Sequence, residues 1–398
     1  MSLLDAAERF AAMDRSAIVL DPARCLHSLD RASTCEACFQ ICPAEAIAPG
    51  KPPSLDADKC ESCLACLVVC PVGAYNADDA VRPLLNAVTR LEGQTLELVC
   101  AKNPQPEKGI SESGVGIRVK GCLAGLGTGT YLALAALGLE RVVARTEACS
   151  ACEWANLRPQ IDSQIERAAR VLAGWDKGET VTSSSASDGL VERTVWDAEN
   201  PPLSRRDLFR MMARQGQVAM ARAMENGEHS IGRKPGRDRV RALGAVAHLD
   251  APLNGSFGAL DGLNFATVTI SEACTACSAC GRACPTEALK FEKSEDNASF
   301  ALKFSARDCI GCDLCVRVCL PAAVSVDHAP TFAQIFGEEQ TTLRKGELVK
   351  CERCGSLMVK RGEARLCDLC EYRRAHPFGS VMPPGFNGNQ FKVPETRQ

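Results

Sequence analysis

The middle of the chain alternates between short apolar runs rich in β-branched residues and one long apolar run. The short runs predict strands at 95–100 (TLELVC), 117–122 (IRVKGC) and 141–145 (RVVAR). The long run at 126–139 (LGTGTYLALAALGL), entered through glycines, predicts a helix, and a further helix is predicted from Asn156. Together they predict a small α/β domain over 93–175. Its apolar stretch YLALAALGL is far below the ~20 residues of a spanning helix, so we expect a buried helix and no transmembrane segment.

The pattern weakens over the next part of the chain. Residues 176–203 include a polar, Ser-rich stretch and are expected to form a linker, as are the Gly-rich residues 227–262. Between them, Ser204 and Asp207 resemble a capping box, and apolar residues follow at helical spacing. We therefore predict a basic amphipathic helix over 204–226. Residues 204–241 carry ten Lys and Arg against four acids, which favours either docking of an acidic partner or a solvated charged helix.

Cysteine content changes this picture, because 24 of the 398 residues are cysteine. The start of the chain, MSLLDAAERFAAMDR, lacks the basic and apolar regions of a secretory signal, so we expect a cytoplasmic protein with reduced thiols. Metal ligation is then favoured over disulfides for most of the cysteines. The net charge of −3 and pI near 6.1 give no general attraction to nucleic acid, and no nucleic-acid partner is expected.

The cysteines form an internal repeat. The run DKCESCLACLVVCPVGAY (58–75) has the spacing C-x2-C-x2-C-x3-C followed by proline, and related runs occur at 34–47, 273–289 and 307–324. This spacing resembles that of bacterial two-cluster [4Fe-4S] ferredoxins, in which three thiolates of one loop and a fourth from the paired run hold each cluster. The resemblance implies dicluster ferredoxin domains over 1–82 and 263–330, and four [4Fe-4S] clusters.

The resemblance also implies the ligands of each cluster. In the second domain, one set is Cys274, Cys277, Cys280 and Cys319, and the other is Cys309, Cys312, Cys315 and Cys284. In the first domain, one set is Cys60, Cys63, Cys66 and Cys42. The remaining set contains Cys35, Cys38 and Cys70 and needs one more ligand.

Two departures from the ferredoxin pattern stand out. No cysteine lies at the usual position before Cys35, so Cys25 is the expected ligand at the end of a looped insertion, with His27 as a rival. The second departure is Leu320 between Cys319 and Pro321, which displaces the usual proline and is expected to alter packing around that cluster.

Each predicted strand of the α/β domain is followed by cysteine, which brings Cys100, Cys122, Cys149 and Cys152 to the carboxyl edge of the sheet. The segment resembles the iron–sulfur delta subunit of hydrogenases that serve heterodisulfide reductases, which implies a fifth cluster, [2Fe-2S] or [4Fe-4S]. Buried, metal-free thiols are the alternative. The GLGTG sequence at 125–129 fails the dinucleotide-loop spacing, which favours a tight turn and close backbone approach over NAD or flavin binding.

The C-terminal cysteines have the spacing C-x2-C-x12-C-x2-C, at Cys351, Cys354, Cys367 and Cys370. Two such knuckles form a tetrahedral S4 site, so we predict a zinc-ribbon-like hairpin over 345–376, with an iron site as the alternative. Basic residues near it are interspersed with acids, which favours a solvated or partner-facing surface over a nucleic-acid site.

The fold class expected is therefore α+β and multidomain, with two ferredoxin domains, the α/β domain and the ribbon. No hydrolytic triad or H-E-x-x-H motif is present, and the cluster thiolates account for the chemistry. The main hypothesis is an electron-transfer subunit for a protein redox partner such as a hydrogenase, formate dehydrogenase or heterodisulfide reductase. The SRRDLFR sequence (204–210) resembles a motif near ferredoxin domains of nitrate reductase maturation proteins. An assembly factor for an iron–sulfur or molybdenum enzyme is thus the second hypothesis, and a redox-responsive nucleic-acid binder a weaker third.

Overall fold

The computed structural model describes residues 18–376, except 31–32, 79, 90, 92, 113, 203–234, 250–262 and 338. The chain divides into two compact units, residues 1–263 and 264–398. The predicted helix at 204–226 lies outside the described residues. Within the part of the chain that is described, the helices are all too short or too polar to cross a bilayer.

The first unit begins with a small domain made of short elements. Its two-stranded sheets pair Val19–Leu20 with Tyr75–Asn76 and Ile47–Ala48 with Ser54–Leu55, both antiparallel. Its helices are Leu26–Leu29, Ala37–Ile41 and Ala65–Val69. Elements this short bury little apolar surface, so they need the support of bound metal or of a neighbouring domain.

A five-stranded parallel sheet forms the centre of the first unit. The strands lie in the order Val195–Asp197, Val115–Arg118, Thr95–Val99, Arg141–Arg145 and Val181–Ser184. The helices after the small domain are Val81–Val88, Thr128–Ala136, Arg158–Leu172 and Arg237–Ala247. The three strands and two helices predicted for residues 93–175 are all present. Parallel strands need cover on both faces, which explains the continuous apolar runs.

The structure differs from the expectation of a linker over 176–203. Val181–Ser184 pairs with Arg141–Arg145, and Val195–Asp197 pairs with Val115–Arg118, so both form the edges of the sheet. Between them, Val191–Glu192 pairs antiparallel with Lys108–Gly109. Edge strands have a solvent-facing side, which is why a polar, Ser-rich sequence is compatible with them.

The expected linker over 227–262 also contains structure, the helix Arg237–Ala247. Its Ala242, Ala245 and Val246 are buried. This helix, which we call the cap helix, packs along Thr128–Ala136. Thr128–Ala136 is consequently buried on all sides, as its uniformly apolar sequence requires.

The second unit contains an antiparallel pair, Thr267–Ile270 with Val324–Asp327, and a separate four-stranded antiparallel sheet. The order in that sheet is Leu289–Lys293, Ser299–Phe304, Thr341–Lys350 and Leu357–Val359. The helices are Ala279–Ala283, Leu314–Arg317, Phe332–Phe336 and Asp368–Ala375. The long strand Thr341–Lys350 joins the ferredoxin hairpin to the C-terminal cysteines, so the two share one sheet.

Candidate metal centres

Three ligand loops share one backbone conformation. In the loops that begin at Cys60, Cys274 and Cys309, the second and fourth residues after that cysteine have φ between 51° and 66°. These residues are Ser62 and Leu64, Ala276 and Ser278, and Gly311 and Asp313. The left-handed conformation is unfavourable for residues other than glycine, so a strong local constraint is needed to keep it. Convergence of three thiolates on one metal cluster supplies such a constraint.

The turns that follow the last cysteine of each run also share one backbone conformation. The third residue after it has φ between 49° and 57° at Glu45, Gly73, Glu287 and Ala322. In three of these turns the N–H of the fourth residue donates to the cysteine sulfur: Ala46 to Cys42 at 3.3 Å, Ala74 to Cys70 at 3.2 Å and Ala323 to Cys319 at 3.2 Å. Such N–H···S bonds stabilise thiolates and adjust cluster potential.

The turn after Cys319 keeps this hydrogen bond although Leu320 precedes the proline. The N–H···S distance at Cys319 equals that at Cys70, 3.2 Å. Leu320 is 54% exposed, and its effect on packing around the cluster stays a prediction.

In the first unit, the ferredoxin cysteines lie close enough for their charges to affect one another. Burial raises the pKa of Cys63, and the charges of Cys42 and Cys60 add to this increase. Burial likewise raises the pKa of Cys66, and the charges of the neighbouring thiolates Cys63, Cys60 and Cys42 raise it further. Burial raises the pKa of Cys70 to about 11, with contributions from Cys35 and Cys38. Thiolates crowded in this way require a compensating cation, which a metal centre supplies.

Cys25 lies with Cys35 and Cys38. Burial raises the pKa of Cys25, and the charges of both other thiolates raise it further. The rival ligand His27 is 6% exposed, and its Nε2 lies 2.7 Å from the carbonyl oxygen of Cys35. This contact uses one ring nitrogen of His27 to fix the backbone of the ligand loop, and leaves Cys25 as the thiol beside Cys35 and Cys38.

The cysteines of the second unit also lie close enough for their charges to affect one another. Burial raises the pKa of Cys280 to about 11, with contributions from Cys274, Cys277 and Cys319. Burial also raises the pKa of Cys315, with contributions from Cys309, Cys312, Cys284 and Cys280. Cys284, Cys309, Cys312 and Cys315 line one pocket together with apolar side chains that include Leu289 and Phe304. The chemistry of these four thiols fits an iron–sulfur cluster.

The four cysteines of the α/β domain also converge. Cys100, Cys122, Cys149 and Cys152 line one cavity of about 420 Å³, open in part to solvent, at the carboxyl ends of three strands. Burial raises the pKa of Cys122 to about 12, with contributions from Cys100 and Cys149. Carboxyl ends of parallel strands are where such sheets bind ligands. The donor set fits a metal centre with four thiolate ligands.

A buried ion-pair network supports the loop that carries Cys149 and Cys152. Arg145 Nη1 lies 2.7 Å from Glu97 Oε2, and its Nη2 lies 2.7 Å from Glu147 Oε1. Arg193 also binds Glu97, at 3.0 Å. Two carboxylates and two guanidinium groups balance in charge, which a buried network requires. Glu97, Arg145, Glu147 and Arg193 could not be predicted from the sequence, because isolated charged residues carry no spacing signal.

Lys102 and Trp154 also line this cavity. Lys102 Nζ lies 3.6 Å from the centre of the Trp154 ring and forms an ion pair with Glu153. The hydrogen bond that Lys102 donates to Glu153 raises the pKa of Lys102. A cation and an aromatic ring thus form part of the cavity wall beside the four cysteines.

The glycines of GLGTG are explained by contact with the cap helix. A Cβ at Gly129 would lie 2.0 Å from the carbonyl oxygen of Asp238. The Asp238 carboxylate accepts from the N–H groups of Gly129 at 3.0 Å and Thr130 at 3.2 Å, while Gln164 accepts from Thr128 N–H at 2.9 Å. The anion position at this helix N-terminus is therefore filled by the protein's own carboxylate, which leaves no room there for a dinucleotide phosphate.

The C-terminal quartet forms a further candidate metal centre. The sulfur atoms of Cys351, Cys354, Cys367 and Cys370 all lie within 4.8 Å of one another. The N–H of Cys367 donates to Cys351 Sγ at 3.3 Å and lowers the pKa of Cys351. Four thiols at this separation, one of them stabilised as thiolate, suit a tetrahedral S4 metal site.

Comparison with known families agrees with this geometry. Residues 273–324 match a family model described as a 4Fe-4S dicluster domain, and residues 53–76 match one described as a 4Fe-4S binding domain. No curated protein matches the chain. The prediction of two ferredoxin-type regions is confirmed. The chain therefore contains two 4Fe-4S ferredoxin-type domains within a mixed helix and strand fold, which supports a role in iron–sulfur electron transfer.

Proposed function

We propose that the protein is an electron-transfer subunit with five iron–sulfur centres and one structural zinc. Four [4Fe-4S] clusters are held by the ferredoxin cysteines, with Cys25 completing the first set. The fifth centre, [2Fe-2S] or [4Fe-4S], is held by Cys100, Cys122, Cys149 and Cys152. The zinc is held by Cys351, Cys354, Cys367 and Cys370.

The observation that carries the proposal is the grouping of the thiols. In each of the five proposed sets of four cysteines, the charge of at least one thiolate raises the pKa of another member, and two of the sets line pockets. A set of this kind leaves no position on the metal for a substrate, so the centres store and pass electrons. When bound, each cluster takes up or releases one electron at a potential between about −700 and +450 mV.

The protein's own residues adjust those potentials in two ways. Backbone N–H groups donate to Cys42, Cys70 and Cys319, which stabilises negative charge on sulfur. Burial of Cys63, Cys66 and Cys70 acts in the opposite direction, because a low-dielectric surrounding disfavours the more negative reduced state. In the first domain both effects act on the same clusters, so the potential of each cluster depends on the balance between them.

The partner we propose is a larger oxidoreductase of the hydrogenase, formate dehydrogenase or heterodisulfide reductase type. The support is the α/β domain, where the predicted strand ends converge on four cysteines. A cytoplasmic location is part of the same proposal and follows from the reduced thiols that the centres require.

The test is the content of iron, zinc and acid-labile sulfide per chain in anaerobically purified protein, with EPR after dithionite reduction. We expect about 18–20 Fe, since four cubanes require about 16 and the α/β domain adds one centre. One zinc per chain is expected in the same preparation.

Other iron contents would contradict parts of the proposal. A value near 16 Fe with one zinc would remove the fifth centre. A value near 8 Fe after reconstitution would mean that one ferredoxin domain holds no clusters and would favour the assembly-factor hypothesis.

A further inference from the structure

The ferredoxin domain of the first unit packs its ligand loop directly onto the α/β domain. A Cβ at Gly125 would lie 2.9 Å from Leu64 Cβ and 3.3 Å from the carbonyl oxygen of Cys63. A Cβ at Gly121, where φ is +78°, would lie 3.3 Å from the carbonyl oxygen of Ser62. Gly121 and Gly125 are thus required, because the backbone of the ligand loop at Ser62–Leu64 lies too close to leave room for a side chain.

The cap helix fixes this arrangement from a second direction. Gly236 N–H donates to the carbonyl oxygen of Pro71 at 3.1 Å, and Arg237 donates to that of Ala77 at 2.8 Å. Two residues on, Asp238 binds the N-terminus of the helix Thr128–Ala136. The N-terminus of the cap helix thus binds both the ferredoxin turn after Cys70 and the helix Thr128–Ala136 of the α/β domain. These contacts fix the position of one domain relative to the other.

Resting on the proposed function, we propose that electrons pass directly between the cluster held by Cys42, Cys60, Cys63 and Cys66 and the centre held by Cys100, Cys122, Cys149 and Cys152. One electron leaves one centre and enters the other, and no bond or proton changes. The contact between Ser62–Leu64 and Gly121–Gly125 is the crossing point.

The first experiment compares EPR spectra of the dithionite-reduced whole protein with those of the variant Cys149→Ser/Cys152→Ser. Two reduced paramagnetic centres in contact broaden and split each other's signals. We expect that interaction in the natural protein and its loss in the variant, which lacks the α/β centre but keeps the Gly121–Gly125 turn. Iron analysis of both proteins accompanies the spectra.

The second experiment changes the contact and leaves all ligands in place. In Gly125→Ala the added Cβ must displace Leu64, so we expect slower electron exchange between the two centres after rapid photoreduction. Leu64→Gly in the same chain removes the opposing side chain at a position where φ is +66°, and the rate is expected to recover. Gly178→Ala is the matched control, since its Cβ would meet only ordinary contacts of 3.4 Å or more.

The outcomes separate this inference from the proposed function. If the natural protein contains no iron in the α/β domain, the fifth centre itself is wrong. If that iron is present but neither the spectra nor the exchange rate respond to these variants, direct transfer across the contact is overturned while the electron-transfer function stands.

Discussion

The two ferredoxin domains use the same ligand spacing but have different surroundings. In the first unit four of the eight ferredoxin cysteines are buried, namely Cys38, Cys63, Cys66 and Cys70. In the second unit only Cys280 and Cys284 are buried, and Cys277 is exposed. The cysteines themselves therefore do not decide how far each cluster is shielded from water.

The difference comes from what each domain packs against. The first domain contacts the α/β domain through Ser62–Leu64 and the cap helix through Pro71. The second domain instead carries a β-hairpin whose sheet continues through Thr341–Lys350 to the strand Leu357–Val359, beside the C-terminal cysteines. We infer that the first pair of clusters is built for internal transfer and the second pair for exchange with molecules outside its own unit.

The largest expected effect of this difference is on the rate at which the clusters are lost. With an iron chelator and air, iron should leave in two phases, and the faster phase should carry about 8 Fe per chain, the content of two cubanes. Exposed Cys277 gives solvent access to the second domain, whereas burial of Cys63 and Cys66 restricts access to the first. The measurement is the absorbance of the iron–chelator complex against time.

Matched variants assign the phases. Cys312→Ser should reduce the fast phase and Cys63→Ser the slow one, as both occupy the same position in their ligand loops. The comparison is wrong if Cys63→Ser reduces the fast phase.

The two ferredoxin-type regions could be predicted from cysteine spacing, because a cubane restricts the distance between thiolates along the chain. The strands before Cys100 and Cys122 could be predicted because a buried parallel sheet requires continuous apolar runs. The edge strand Val181–Ser184 could not, since its Ser-rich sequence has no apolar pattern. The cap helix does carry a signal, with Ala242, Ala245 and Val246 at helical spacing, but the glycines around it concealed a helix of 11 residues.

The contact between the first ferredoxin domain and the α/β domain also could not be predicted. Gly121 and Gly125 are separated from Leu64 by more than fifty residues of sequence, and glycine alone does not indicate what approaches it. Only the folded positions of the ligand loop and the turn after Cys122 reveal why glycine is needed.

The next effect concerns the cap helix, which distinguishes the first ferredoxin domain from the second. Asp238→Ala removes the side chain that caps Thr128–Ala136, and we expect a loss of about 1–2 kcal/mol in the free energy of unfolding. Asp238→Asn should lose less, because asparagine also caps helices well. All three tryptophans, Trp154, Trp175 and Trp196, lie in the α/β domain, so urea unfolding followed by fluorescence reports on this region.

The control for that measurement is Asp188→Ala, which removes an exposed carboxylate from the same domain. Equal urea midpoints for Asp238→Ala and Asp188→Ala would contradict a capping role.

The smallest expected effect tests how the strand Thr341–Lys350 supports the second ferredoxin domain. Arg344 donates to the carbonyl oxygens of Ser271 at 2.8 Å and Glu272 at 3.1 Å, three and two residues before Cys274. On the other side of the loop, Ala276 packs against buried Phe300, Leu348 and Val359. Arg344→Ala should therefore loosen the Cys274 loop by about 1 kcal/mol, the net contribution of a typical hydrogen bond.

Hydrogen exchange over residues 271–277 of the iron-loaded protein measures this change, because local opening exposes these amides without global unfolding. Lys345→Ala is the matched control, since Lys345 is exposed and adjacent on the same strand. Faster exchange in Arg344→Ala alone would mean that the strand Thr341–Lys350 holds a cluster loop in place, as the cap helix does in the first unit. Equal exchange in both variants would mean that the second domain maintains its ligand loop by metal ligation and apolar packing, and that only the first domain depends on a polar support from outside the ferredoxin fold.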